Sequence, residues 1–229
     1  MTDGGNIRVA IDGPSASGKS TVSRRVAAEL NFIYVDSGAL YRGLTWQAVR
    51  AGVDTTDAAA VLALLARVEW RFYVENRVLL FALDGVTPGA ELRAEPVRER
   101  VSDVAAIPGV RAFVVARLQE TARFGPVVME GRDIGTVVFP ETAFKFYLDA
   151  DPEERARRRL KDIVDLEGRG DVSAVRDSLA RRDTKDRTRR TAPLQVAPNA
   201  VVIDSTRMSV DDVVQFIVAR VRAGAGPYQ

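Results

Sequence analysis

A chain of 229 residues, 46% of them hydrophobic, is long enough for one sizeable core carrying insertions, and no run of apolar residues is long enough to span a membrane. The absence of cysteine and histidine excludes disulfides, thiolate nucleophiles, serine–histidine triads and the usual zinc sites. Formal charge is only +2, and all basic residues but Lys19, Lys145, Lys161 and Lys185 are arginine, so any chemistry must run on guanidinium, carboxylate, hydroxyl and lysine groups.

In chain order, residues 1–6 lack the basic and apolar regions of a signal peptide and read as a flexible lead-in, so a cytoplasmic protein is expected. Residues 7–12 are a short β-branched apolar run entering a glycine-rich turn. A helix follows from about Lys19, with Val22, Val26 and Leu30 four apart on one face. Residues 32–35 read as a buried strand ending at Asp36-Ser37-Gly38, which completes a βαβ opening and predicts a parallel sheet. Residues 68–74 and 78–83 are strand-like on either side of a polar Glu75-Asn76-Arg77 turn, and Asp84-Gly85 signals another reversal. Such antiparallel strands are expected to form an inserted subdomain outside the parallel sheet. Helices over about 94–104 and 110–122 return the chain to the core. Further buried strands are expected at 127–130, 144–148 and 200–203, a closing helix at about 210–221, and a loose tail from 224. Residues 151–190 carry 13 Lys and Arg against 10 Asp and Glu with the signs interleaved, which predicts solvated helices.

Gly13-Pro14-Ser15-Ala16-Ser17-Gly18-Lys19-Ser20 matches G-x-x-x-x-G-K-[ST] in full, between a buried strand and an amphipathic helix. In such a loop the backbone N–H groups curl around phosphate and the helix N-terminus adds partial positive charge. Lys19 would reach the β- and γ-phosphates of ATP, and Ser20, Thr21 or both would face Mg²⁺. Glu130, at the end of the Val127-Val128-Met129-Glu130 strand, is a second candidate near the metal. Thr184-Lys185-Asp186-Arg187 puts its aspartate one position too early for a guanine-reading motif, which disfavours a GTPase switch.

Three further motifs fall at strand ends or after the charged insertion: Asp36-Ser37-Gly38-Ala39-Leu40-Tyr41-Arg42, Gly131-Arg132-Asp133-Ile134-Gly135-Thr136, and Arg182-Asp183-x-x-Asp186-x-x-Arg189. Together with the phosphate loop they resemble the bacterial cytidylate kinases over nearly the whole chain. The resemblance implies an α/β P-loop kinase fold with a central five-stranded parallel sheet, a monophosphate-binding insertion and a helical lid. The expected division is a core of residues 1–38, 111–150 and 191–229, an insertion of 39–110, and a lid region of 151–190. The resemblance further implies that Arg42, Arg132 and Arg189 hold the acceptor phosphate, that Ser37, Arg182 and Asp186 contact the sugar, and that Ser102, Arg111 and Asp133 surround the base. ATP is the implied donor and CMP or dCMP the implied acceptor, with UMP or another small metabolite as the alternative. A carboxylate at 133 suits cytosine, because it accepts from the exocyclic amine and would repel the carbonyl oxygen of uracil.

Without histidine, a kinase acting on a monophosphate loses nothing, because that acceptor is mostly deprotonated at neutral pH and requires no general base. Of the arginines at 155, 157, 158 and 159, Arg155 and Arg159 share a helical face and are expected to act from the lid on the phosphates. The Asp204-Ser205-Thr206-Arg207 segment is expected to flank adenine. A nucleic-acid-binding protein would need a continuous basic face with interleaved aromatics, whereas here the arginines alternate with acids and the aromatics fall in core-like segments. A monomer is the default expectation.

Overall fold

The computed structural model describes residues 7–167 and 171–224. The expected lead-in, nearly all of the tail and the centre of the charged insertion lie outside the described residues. The chain runs β1 (Arg8–Asp12), α1 (Lys19–Leu30), β2 (Ile33–Asp36), α2 (Ser37–Arg50), α3 (Ala58–Leu65), β3 (Trp70–Glu75), β4 (Val78–Leu83), α4 (Glu95–Ala106), α5 (Pro108–Glu120), β5 (Val127–Gly131), β6 (Phe144–Asp149), α6 (Pro152–Glu167), α7 (Val172–Thr188), β7 (Val201–Asp204) and α8 (Val210–Arg222). No described helix is long and apolar enough to cross a membrane.

The strands form one sheet in the order β3-β4-β2-β5-β1-β6-β7. Its five central and right-hand members, β2-β5-β1-β6-β7, are parallel, as the βαβ opening requires. Both faces of β1, β2 and β5 are covered, which is why these strands are almost wholly apolar up to their carboxyl ends. Successive residues of β1 serve opposite faces: Val9 and Ile11 pack with Val22 and Val26 of α1 and Val214 and Ile217 of α8, whereas Ala10 packs with Leu40 and Leu44 of α2 and Val110 and Val114 of α5. Leu44 and Ile217 are fully buried, and truncating either to alanine costs about 2–5 kcal/mol.

The β3–β4 hairpin departs from expectation. It extends the parallel sheet instead of standing apart, β4 running parallel to β2, which gives seven strands among the described residues where five parallel ones were expected. At the junction Tyr34 pairs in parallel with Val78, and the Tyr34 N–H donates to the Arg77 carbonyl at 2.8 Å. The hairpin turns at Asn76 and Arg77, both with positive φ (48° and 58°), the twist-matched geometry of a two-residue turn. Trp70 anchors it, with ring centroids 5.8 Å from Phe72, 5.4 Å from Phe81 and 5.5 Å from Phe113 of α5. Helices α2 and α3 were not anticipated. Asp36 caps α2 by accepting from the Ala39 N–H, and Asp57 caps α3 through the N–H groups of Ala59 and Ala60.

Candidate active site

The parallel register brings Asp12, Asp36 and Glu130 to one edge of the sheet, because Asp36 lies opposite Glu130, and Asp12 opposite its neighbour Gly131. The loop after β1 opens on Gly13, where φ is +148° and any Cβ would sit 2.0 Å from the Leu148 carbonyl oxygen; only glycine fits. Gly18, at φ +91°, starts α1. Lys19 is buried at the loop's centre and donates to the Pro14 carbonyl and to Ser17 Oγ at 3.3 Å. Burial, reinforced by Arg132, lowers its ammonium to about 7 against the pull of Glu130, Asp12 and Asp183.

Side chains from the charged insertion brace this loop from outside. Asp183 of α7 accepts from the Ser15 N–H at 3.1 Å and pairs with Arg155 of α6, which also donates to the Ser15 carbonyl at 3.1 Å. Arg155 is therefore a buried strut outside the cleft lining, not the cleft arginine expected of it, because the rotation of α6 turns it onto Asp183. Arg159 lines the cleft, and so does Arg158, which donates to the Ser205 carbonyl at 2.7 Å. Ser205 closes the back of the loop by donating to the Ser17 carbonyl at 3.3 Å. Arg207 is exposed and lies outside the cleft lining, unlike Ser205.

A cleft of about 790 Å³ runs from this loop between the insertion helices and α7. From the loop and α1 it is lined by residues 15–22; Gly13 and Pro14 form the loop's base. From the other elements it takes Ser37 and Arg42 of α2, Ser102 of α4, Arg111 of α5, Arg132 and Asp133 after β5, and Arg182, Asp186 and Arg189 at the end of α7 and just beyond it. Every acceptor-site residue expected from the sequence thus faces one space. Ser37 donates to the Glu130 carbonyl at 2.7 Å, fixing the start of α2 to β5.

The guanidinium groups are held by carboxylates. Arg42 pairs with Asp36 at 2.6 Å, and Arg132 with Asp186 at 2.8 Å while also donating to Ser15 Oγ at 2.8 Å. Arg189 lies 3.5 Å from Asp186 and 3.8 Å from Asp133. Asp133 and Arg111, both almost fully buried, form a further pair. Burial opposes ionisation of Asp36 and Asp186, but Arg42 and Arg132 respectively outweigh it and hold both carboxyls below the usual range. Compensation stays incomplete on the cationic side. Burial and the nearby Arg132, Arg42 and Arg159, only partly offset by Asp186, pull Arg182 down to about 10. Arg42 Nε, Arg111 Nε and Arg189 NH2 are buried donors with no hydrogen-bond partner among the described residues. Such a surface lowers its own energy by accepting an anion.

The Ser20 hydroxyl donates to the buried Glu130 carboxylate, which also accepts from the Tyr34 hydroxyl. A hydroxyl beside a carboxylate, next to a phosphate-binding loop, is an all-oxygen donor set that fits Mg²⁺, an ion that takes few protein ligands and keeps its waters.

The family model described as Cytidylate kinase matches residues 9–223. A cytidylate kinase of Geobacillus kaustophilus is 44% identical over 222 residues, covering 96% of this chain and 98% of that protein. One of Rhodococcus jostii is 43% identical over 222 residues, covering 95% and 96%. Among solved structures, an uncharacterized protein from Eubacterium ventriosum superimposes with a TM-score of 0.52 at 11% identity, covering 95% of this chain and 99% of that one, a likeness of fold alone. The chain belongs to the cytidylate kinase family.

Proposed function

With that membership as premise, we propose that the cleft transfers the γ-phosphoryl group of ATP to CMP and to dCMP, forming the corresponding diphosphates and ADP. The observation that carries this reading is the surplus of buried cationic donors opposite the phosphate loop: burial, reinforced by its arginine neighbours, draws Arg182 down to about 10, and Arg42 Nε and Arg189 Nη2 have no hydrogen-bond partner among the described residues. A dianionic acceptor phosphate between Arg42, Arg132 and Arg189 relieves that repulsion and aims one oxygen at the γ-phosphorus. The oxygen–phosphorus bond forms as the β–γ bridging bond breaks, and Lys19, Arg132, Arg159 and Arg189 balance the charge that spreads over the transferred group.

Ser37, Arg182 and Asp186 suit the sugar, where a carboxylate meets hydroxyl donors. Ser102, Arg111 and Asp133 suit cytosine: Asp133 accepts from the amine and Arg111 donates to the O2/N3 edge. Ser20, with Glu130 behind it, would hold Mg²⁺, which when bound draws charge from the β- and γ-phosphates. In this reading residues 39–110 bind the monophosphate and 151–190 form the lid region, both set on the core. The test is ADP production from Mg²⁺-ATP with CMP, dCMP, UMP, AMP and dTMP supplied separately. Rapid turnover confined to CMP and dCMP, with weak UMP activity, is the expected result. Preference for another nucleotide overturns the base assignment, and no turnover in a folded, ATP-binding protein overturns the reading altogether.

A further inference from the structure

Asp12 ends β1 immediately before the phosphate loop, yet its carboxylate hydrogen-bonds elsewhere. Oδ1 accepts from the Ile134 N–H at 2.8 Å and Oδ2 from the Gly135 N–H at 2.7 Å. These amides directly follow Asp133, and the Asp133 carbonyl in turn accepts from the Val137 and Val138 N–H groups at 2.9 and 3.2 Å. The turn over Ile134–Val138 is thereby tied on one side to Asp133 and on the other to Asp12. Room for slippage is small, since a Cβ on Gly135 would lie 3.2 Å from Ala197 Cβ and 3.3 Å from Asp12 Oδ2. Keeping a carboxylate here is costly. Burial pushes it up to about 6 despite both N–H bonds, with Asp133 adding to the rise and Lys19 opposing it. An apolar residue would avoid that cost but leave two buried N–H groups unpaired.

We infer that Asp12 is a positioning residue for base selection: by gripping the amides of Ile134 and Gly135 it fixes the direction in which Asp133 presents its carboxylate, and it does so from the strand that carries the donor loop. One side chain thus sets the register between the donor phosphates and the acceptor base. The inference rests on the reading of Asp133 as the cytosine-facing carboxylate.

The experiment measures kcat and KM for CMP and UMP, affinity for a non-hydrolysable ATP analogue and melting temperature in Asp12→Asn, Asp12→Ala, Asp133→Asn and the Asp12→Asn/Asp133→Asn double variant. Asparagine at 12 keeps one acceptor and turns a donor toward the second N–H. The CMP-to-UMP ratio of kcat/KM should then fall about tenfold, through a higher KM for CMP, with ATP-analogue affinity held within about threefold. The double variant should be no less selective than Asp133→Asn alone, because both changes act through the same carboxylate. An unchanged ratio in a folded Asp12 variant overturns the inference, as does a parallel loss of ATP-analogue, CMP and UMP binding, which marks general support of the loop. If Asp133→Asn erodes selectivity and Asp12→Asn does not, only the Asp12 role falls. If Asp133→Asn leaves selectivity intact, the base assignment falls and takes this inference with it. Should both Asp12 variants fail to fold, amide exchange in the unmutated, nucleotide-free protein decides: the Ile134 and Gly135 amides should be strongly protected, and exchange at the rate of a free loop overturns the clamp.

Discussion

On the donor side of the cleft, phosphate would meet mainly backbone, presented by one unbroken run of residues with a single buried lysine near its end. On the acceptor side it would meet side chains drawn from α2, the segment after β5, and α7 with its flank, each guanidinium steered by a carboxylate. A backbone cradle depends on loop shape and tolerates change in most of its side chains. A side-chain cradle depends on charge balance, so removing one member disturbs the others. The donor half should therefore fail abruptly at Lys19, at the glycines that shape the loop and at Ser20, and yield little at its other side chains, while the acceptor half should lose affinity at every arginine.

The largest expected effect is Lys19→Ala, which should lower kcat by roughly a thousandfold or more in a coupled ADP assay while the fold persists. Arg132→Ala should cut kcat/KM for CMP by about a hundredfold, since it would remove the proposed phosphate contact and leaves Asp186 short of a partner; ATP-analogue affinity should stay within about threefold. A comparable loss of ATP affinity would erase the distinction between the two halves. Arg155→Ala belongs to the frame: stranding the buried Asp183 charge should cost about 3 kcal/mol, a fall of roughly 10 °C in Tm by calorimetry.

Lys19 also offers a signed pH test. From about pH 7 to the ordinary lysine range, the unfolded chain holds a proton that the folded chain has released. Folding is therefore favoured as pH rises through that window, and Lys19→Met should flatten the rise in Tm between about pH 7 and 9. Binding of ATP should return the proton, measurable at about pH 8 as buffer-dependent heat of binding. The smallest effect is expected at Arg207→Ala, within about twofold in kcat and in KM for ATP, because the residue is exposed outside the cleft.

The same contrast governs what could be read from the chain. The donor loop is legible because its chemistry is contiguous: eight residues, the strand before them and the helix after them form one pattern. Acceptor residues were reached through motifs that resemble a family, since nothing local tells Arg182 that it will face Arg42. Asp183 and Asp12 escaped because their partners are distant in the chain, 28 and 168 positions for Asp183 and 122–123 for Asp12, and none of these pairings leaves a periodic trace. Helical spacing gave the relative directions of Arg155 and Arg159 but not the absolute rotation of α6, which buries Arg155. Likewise, alternation marked β3 and β4 as strands without naming their neighbour, a choice made by the parallel pairing of Tyr34 with Val78. Helix α2 carries Leu40, Leu44 and Ala48 at helical spacing, but the Asp36–Arg42 motif reads as a binding loop and hides the helix it opens.

The aromatic stack that anchors the hairpin has an optical consequence. The only tryptophans in the chain are Trp46 on α2 and Trp70 on β3, so both indoles sit on the acceptor side and none on the donor loop or in the charged insertion. Trp46 lies beneath Arg50 at 4.5 Å and Trp70 beside three phenylalanines, surroundings that leave the two emitters with different quenchers. On the proposed reading, in which residues 39–110 bind the monophosphate, intrinsic fluorescence of the unlabelled protein should be a one-sided signal: it should follow what the monophosphate does to that half of the molecule, while ATP would reach it only through the parts the two halves share.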